Sequence, residues 1–202
     1  YLVLGFFTGL SLILAIGAQN VFVIEQGLKK QYIFLVCFVC SLSDFLLIFL
    51  GIFLFHFFHQ YFNLFVELTL NVLLIIFLVY FIYSKIKLIS GTISFNSEAK
   101  DISRIEILFK TLGFTYLNAH VYSDTVFFLG NFSKNFLLNE KVYFGIGASI
   151  ASFIFFFLLG YLSAYFSKFA QNDKVWKLIN LFIITFMSAL AIYIIRETIY
   201  FL

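Results

Sequence analysis

The chain has 202 residues, of which 63% are hydrophobic and only 11% charged, and its mean hydropathy is +1.05. A soluble domain carries about 25% charged residues, so this composition excludes a soluble globular protein and indicates an integral membrane protein. The net charge of +3 resides in loop lysines and arginines and says little about partners beyond the lipid bilayer; no nucleic-acid partner is expected.

A spanning helix needs about 20 mostly apolar residues, and about six such windows follow one another along the chain. They run from Leu2 to Ile24, Tyr32 to Phe55, Asn63 to Tyr83, Phe109 to Gly130, Val142 to Phe166 and Val175 to Ile195. Lipid offers backbone N–H and C=O groups no partner, and the windows are too long and uniform for barrel strands. The expected fold is therefore an all-α integral membrane protein with about six transmembrane helices.

The first window is too long for a signal h-region and lacks a basic n-region, so it reads as a retained helix. Gly5 and Gly9 give it a close-packing GxxxG pattern, and Gly17-Ala18-Gln19-Asn20 interrupts its apolar run. As one continuous helix it would align Thr8, Ser11, Ala15, Ala18 and Gln19 in a stripe. On the second helix Cys37, Cys40, Ser41, Asp44 and Gly51 form another. The CxxC of Cys37 and Cys40 reads as two small buried residues, because redox or zinc chemistry would need water and further ligands. His56 and His59 lie at a helix end among aromatics, which suits an interfacial belt better than a metal site.

The connection 84–108, polar and turn-rich from Ser84 to Arg104, divides the chain into repeats 1–83 and 109–202. The fourth window, holding Asn118, His120 and Asp124, is the weakest span, and the fifth carries a small-residue stripe of Gly145, Ser149, Ser152, Gly160 and Ser163. The halves open on related stretches, "LGFFTGLSLILAIGAQNVFV" and "LGFTYLNAHVYSDTVFFLG". Each places an amide-bearing cluster inside an apolar run, which in paired three-helix inverted repeats marks a transporter site near the midplane. The alternative is chance similarity in Phe- and Leu-rich sequence. If every window spans, most of the basic residues, from Lys29 and Lys30 through Lys85 and Arg104 to Lys177, share one side, while Lys134, Lys141 and Arg196 face the other. The positive-inside rule then makes the connection cytoplasmic and puts both termini outside.

Two residues carry the chemistry. Asp44 and Asp124 lie deep in their windows, and a central Asp costs about 2.5 to 3.5 kcal/mol on insertion scales. No Lys or Arg lies at comparable depth, so a compensating cation has to come from elsewhere: a proton, a metal ion or a cationic substrate. The alternative is that both are protonated and hydrogen-bonded to Ser41, Ser43, His120 or Tyr122. On a continuous helix His120 and Asp124, four apart, share a face and form a proton-relay pair, with Asn118 and Tyr122 on another. Gln19 and Asn20 offer donors and acceptors that suit the carboxylate and ammonium of an α-amino acid.

The stretches "GAQNVFVIEQGLKKQY" with "CSLSD", and "YLNAHVYSDTVFFLG", resemble the signatures of the LysE/ArgO family of lysine and arginine exporters. The similarity continues through "GASIASFIFFFLLGYLSAYF" and "KLINLFIITFMSALAIYIIRE" and so covers nearly the whole chain. It implies no enzyme activity, no cofactor and no metal. Its motif positions are Gln19, Asn20, Asp44, Asn118, His120, Tyr122 and Asp124, expected to bind substrate or couple protons. The family's signature prolines are Ala18 and Ala119 here, at the expected helix breaks, and the chain has no proline at all. Alanine restores an N–H and removes a clash worth about 3 kcal/mol in a helix interior, so straighter helices are expected.

The leading expectation is a secondary exporter of L-arginine or L-lysine in a bacterial cytoplasmic (inner) membrane, exchanging substrate for protons. A homodimer is one use for the small-residue stripes. The alternatives are export of a neutral amino acid or a divalent metal ion, a variant impaired by its missing prolines, and an intramembrane aspartyl protease. The last lacks a Gly-x-Gly-Asp pattern around Asp44.

Overall fold

The structure is a computed structural model that describes residues 1–14, 17–61, 64–89 and 102–200. Among these the fold is helical throughout: α1 (Leu2–Ile13), α2 (Ala18–Lys29), α3 (Ile33–Tyr61), α4 (Leu64–Ile89), α5 (Arg104–Tyr116) and α6 (Ala119–Tyr122). A π-helix (Ser123–Phe128) follows, then α7 (Leu129–Phe132), α8 (Leu138–Tyr165), α9 (Ser167–Ala170) and α10 (Asp173–Tyr200).

Among the described residues three helices are long and apolar enough to cross a bilayer: Ile33–Phe55 within α3, all of α8, and Asp173–Arg196 within α10. A fourth span is counted if α1 and α2 are one element. Two of the six windows expected from hydropathy do not form one uninterrupted helix. The first window divides into α1 and α2, which meet at 83°. The fourth divides into α5, α6, the π-helix and α7. The third is covered by one helix, α4, from Leu64 to Ile89. Hydropathy averages over a window and cannot register a break in its middle.

Two further expectations are corrected by the first break. Thr8, Ser11 and Gln19 do not share one stripe, since Gln19 lies on a separate helix and Ser11 is exposed, its hydroxyl donating to the Thr8 carbonyl at 2.7 Å. The helix also fails to run straight despite alanine at position 18. The connection 84–108 is shortened from both ends, because α4 continues to Ile89 and α5 starts at Arg104. Ser103 caps α5, its hydroxyl accepting from the Glu106 N–H at 3.1 Å.

The fold is assembled around α8. Helices α1, α2 and α3 all pack against it, while α10 packs against α4. Small residues set the close approaches. A Cβ on Gly9 would come within 2.9 Å of the Ala148 Cα, one on Gly5 would meet the Phe144 backbone, and one on Gly27 would meet Gly160 and Ser163. The outward faces present large apolar side chains such as Phe34, Ile76, Leu158 and Phe182, as lipid contact requires. Cys37 and Cys40 are free and fully buried, and the Cys37 thiol donates to the Phe156 carbonyl at 3.1 Å. Helix α3 runs through His56 and His59, whose side chains lie outside the described residues.

Candidate functional site

The break between α1 and α2 begins the site. Gly17 is extended (φ −118°, ψ −177°), so α2 starts afresh at Ala18, and no side chain caps its N-terminus. Across the break the Asn20 side-chain amide donates to the Ile13 carbonyl at 3.1 Å. One of the carbonyls that α1 leaves open is thereby satisfied, and the two segments are tied together.

The second break has its own fastenings. Asn118 stands between α5 and α6, and its side-chain oxygen accepts from the His120 N–H at 3.1 Å. The Tyr122 hydroxyl donates to the Tyr116 carbonyl at 2.9 Å and so clamps the end of α5. The following backbone widens into the π-helix that carries Asp124. Such a turn re-aims the side chains on it and is common at functional sites.

These segments converge on one cavity of about 350 Å³, within the range of small-ligand sites. The two motif regions, far apart in sequence, share it: Gly17, Ala18, Gln19 and Asn20 from the first break, Asn118, His120 and Asp124 from the second. Asp44 joins them from α3, while Phe156 from α8 and Leu190 from α10 supply apolar wall. Among the described residues lining it, none is Lys or Arg. Tyr122 is not in the lining; its hydroxyl holds α5 instead. Of Ala119 only the backbone is described, at the start of α6.

Asp44 is 4% exposed, and its Oδ2 accepts from the Ser152 hydroxyl of α8 at 2.8 Å. Asp124 and His120 line the same cavity as Asp44. Two carboxylates that share one cavity repel when both are ionised. A cation or proton placed between them relieves the repulsion, and the cavity gives that cation room. His120 is exposed and its ring stacks against Tyr193, with centroids 6.2 Å apart.

Sequence reasoning read Ser152 as part of a packing stripe and missed its bond to Asp44. Its place on the same stripe as Ser149 was the available signal, but one-sided spacing does not reveal which partner a hydroxyl meets. The apolar walls Phe156 and Leu190 carried no signal among so many similar residues. Among the described residues no three His, Cys, Asp or Glu side chains gather where a metal ion would be held.

The sequence pattern of LysE type translocators matches residues 10–198 of the chain. The arginine exporter protein ArgO of Pectobacterium atrosepticum is 33% identical over 194 residues, covering 96% of this chain and 95% of its own. The protein of that name from Salmonella paratyphi A is 31% identical over 194 residues, with 96% and 92% covered. No solved structure matches the chain.

Proposed function

The chain belongs to the LysE type translocator family, and from that premise we propose that it is a secondary transporter exporting L-arginine, L-lysine or both. Proteins of this family are transporters and not enzymes, which removes the protease reading. The observation that carries the proposal is the single cavity where Asp44, Asp124 and both amide clusters meet with no Lys or Arg among the described lining residues. A cationic amino acid supplies the positive charge that these carboxylates lack, and the amides Gln19, Asn20 and Asn118 orient its backbone groups. His120 stands beside Asp124 as the proton's exchange partner.

Both halves break a helix at the matching alanine, Ala18 or Ala119, which supports reading 1–83 and 109–202 as inverted repeats about the midplane. The membrane is the bacterial cytoplasmic one, as for an exporter of a cytosolic amino acid. Moving a cation outward against an inside-negative potential costs about 2.3 kcal/mol per charge per 100 mV. Entry of a proton in exchange offsets that term, with Asp44 and Asp124 alternately holding proton and substrate. Export of a neutral amino acid would leave the two carboxylates without a role, and a divalent metal ion would want more ligands than this cavity gathers.

The test is efflux of labelled arginine and lysine from cells loaded with the corresponding dipeptides, with and without the chain. Expression should raise efflux of at least one of them several-fold, and an uncoupler should abolish the increase. No increase for either amino acid would sink the proposal; an increase that the uncoupler leaves intact would remove the proton coupling alone.

A further inference from the structure

The helices dock on one another in two ways. Within the group around α8, backbones touch at glycines: a Cβ on Gly5, Gly147 or Gly51 would strike the backbone of Phe144, Leu2 or Val126. Such contacts fix one helix on another, because no side chain is left between them to adjust. Helices α4 and α10 form a separate pair, and large side chains make their contact with the rest. Phe77 and Phe81 of α4 reach Phe114 of α5, with ring centroids 4.8 and 5.1 Å apart, and Leu78 and Met187 are fully buried in the same cluster. A contact of this kind lets packed helices slide by small side-chain adjustments, as in shear motions.

Helix α10 runs along this seam from a polar end to the cavity. At its start the Trp176 ring centroid lies 5.6 Å from the Lys29 ammonium of α2, which is paired with Glu25 at 2.6 Å. Leu190, about 21 Å further along the helix, lines the cavity, and the Tyr193 ring stacks on His120. The polar end is closed to water: Glu25 and Gln26 are 2% exposed, Lys29 6%, and Ser167 of α9 1%. The side-chain oxygens of Gln26 and Ser167 find no hydrogen-bond partner among the described residues. A buried ion pair gains little over an apolar contact, since desolvation offsets its attraction, and a buried oxygen without a donor is a net cost. All of these groups gain hydration when α10 parts from α2, so the contact holds by a small margin. A seam kept only for stability would be better served by apolar side chains.

On the exporter reading above, we propose that Lys29, held by Glu25 against Trp176, is the latch of the transport step: α4 and α10 slide as a pair against the glycine-locked helices, and release of Trp176 from Lys29 lets them move. The slide carries Leu190 and Tyr193 past the cavity and so changes the side on which it is closed. A transporter must pass between two conformations close in free energy, and a polar latch keeps them close where an apolar seal would not. Glu25 and Lys29 touch no substrate in this scheme; they are positioning residues that act through α10.

The test removes the charges and keeps the contact. In E25L/K29M apolar side chains replace the pair, an exchange that is neutral to stabilising at buried sites. The purified full-length variant should unfold at a Tm no lower than that of the unaltered protein, yet its arginine transport in liposomes should fall at least about fivefold, because parting the seam no longer gains hydration. S167C gives an independent readout, since its thiol starts buried at the seam, and the buried Cys37 and Cys40 supply a background measured on the unaltered protein. Saturating arginine should change the rate at which a water-soluble maleimide labels S167C by about threefold or more, and D44N should remove the response. If E25L/K29M has a lowered Tm, the S167C comparison alone decides. Transport by E25L/K29M within about twofold of the unaltered protein at an undiminished Tm would overturn the latch. S167C labelling indifferent to arginine, in a protein that transports it, would do the same, and either result leaves the exporter reading standing. Absence of any arginine transport by the unaltered protein would overturn both.

Discussion

Replacing Ala18 by proline tests the break that builds the cavity. Ala18 is the first residue of α2, where the N–H has no intrahelical acceptor and where the fixed φ of proline is favourable. The preceding Gly17 is extended, the conformation that a following proline requires. Ala18 is fully buried but borders the cavity, so the added ring has open volume on one side. A18P should then stabilise the protein through the unfolded chain by about 0.4–1 kcal/mol. For a chain of about 200 residues that is a rise in Tm of about 1–4 °C. If residues 2–29 were one continuous helix, the same proline would cost about 3 kcal/mol and lower Tm by about 6–12 °C. Thermal unfolding of the purified protein in detergent separates the two outcomes. Arginine export should stay within about twofold of the unaltered chain, because the extended Gly17 and the start of α2 are kept. A fall in Tm of several degrees would refute the break and the cavity with it.

Three other perturbations have defined outcomes. D44N and D124N should each reduce export about tenfold to a hundredfold, since a charge-assisted contact contributes about 1.5–3 kcal/mol; near-normal efflux in both variants at equal protein levels would remove their assignment. G9V should lower stability by about 1–3 kcal/mol in thermal unfolding, because its side chain must enter the space of Ala148, whose Cα is 2.9 Å from the Cβ position. Lys29 and Glu25 form a buried ion pair at 2.6 Å, with the ammonium 5.6 Å from the Trp176 ring centroid. K29M should cost about 3–5 kcal/mol by breaking the buried pair, and the double variant with E25Q should recover a large part of it; no recovery in unfolding measurements would show that the ion pair is not the source of the loss.

The sequence revealed the chemistry better than the path of the chain. Asp44 and Asp124 stood out because charge is rare in an apolar run, and Gln19, Asn20 and Asn118 because amides there need partners. That they share a cavity depends on contacts between distant segments, which no local pattern encodes. Tyr122 illustrates the limit: at a motif position, it was grouped with the ligands, yet its hydroxyl serves the Tyr116 carbonyl. The opposite holds for Ser152, whose spacing suggested packing and whose hydroxyl supports Asp44. His120 and Asp124 were assigned one face by α-helical spacing, but the π-helix starting at Ser123 changes the rotation between them. Both line the cavity, Asp124 from the π-helix and His120 from the turn before it.

The persistence of the first break without proline follows from how α1 and α2 dock on α8. Gly5 and Gly9 rest on Phe144 and Ala148, so α1 advances in step with α8, residue for residue. Gly27 rests on Gly160. From Gly5 to Gly27 a straight helix would rise about 33 Å, whereas Phe144 and Gly160 are separated by about 24 Å along α8. A continuous helix carrying both contacts would overshoot by about 9 Å. The chain accommodates the excess by turning through 83°, and Asn20 bonds the carbonyl of Ile13 that the turn exposes. The break is therefore set by three glycine contacts and one amide, and a proline at position 18 would reinforce a geometry that tertiary packing already imposes. The same geometry brings Gly17, Ala18, Gln19 and Asn20 to the cavity that Asp44 and Asp124 also line, so the packing that bends the helix also helps to form the site.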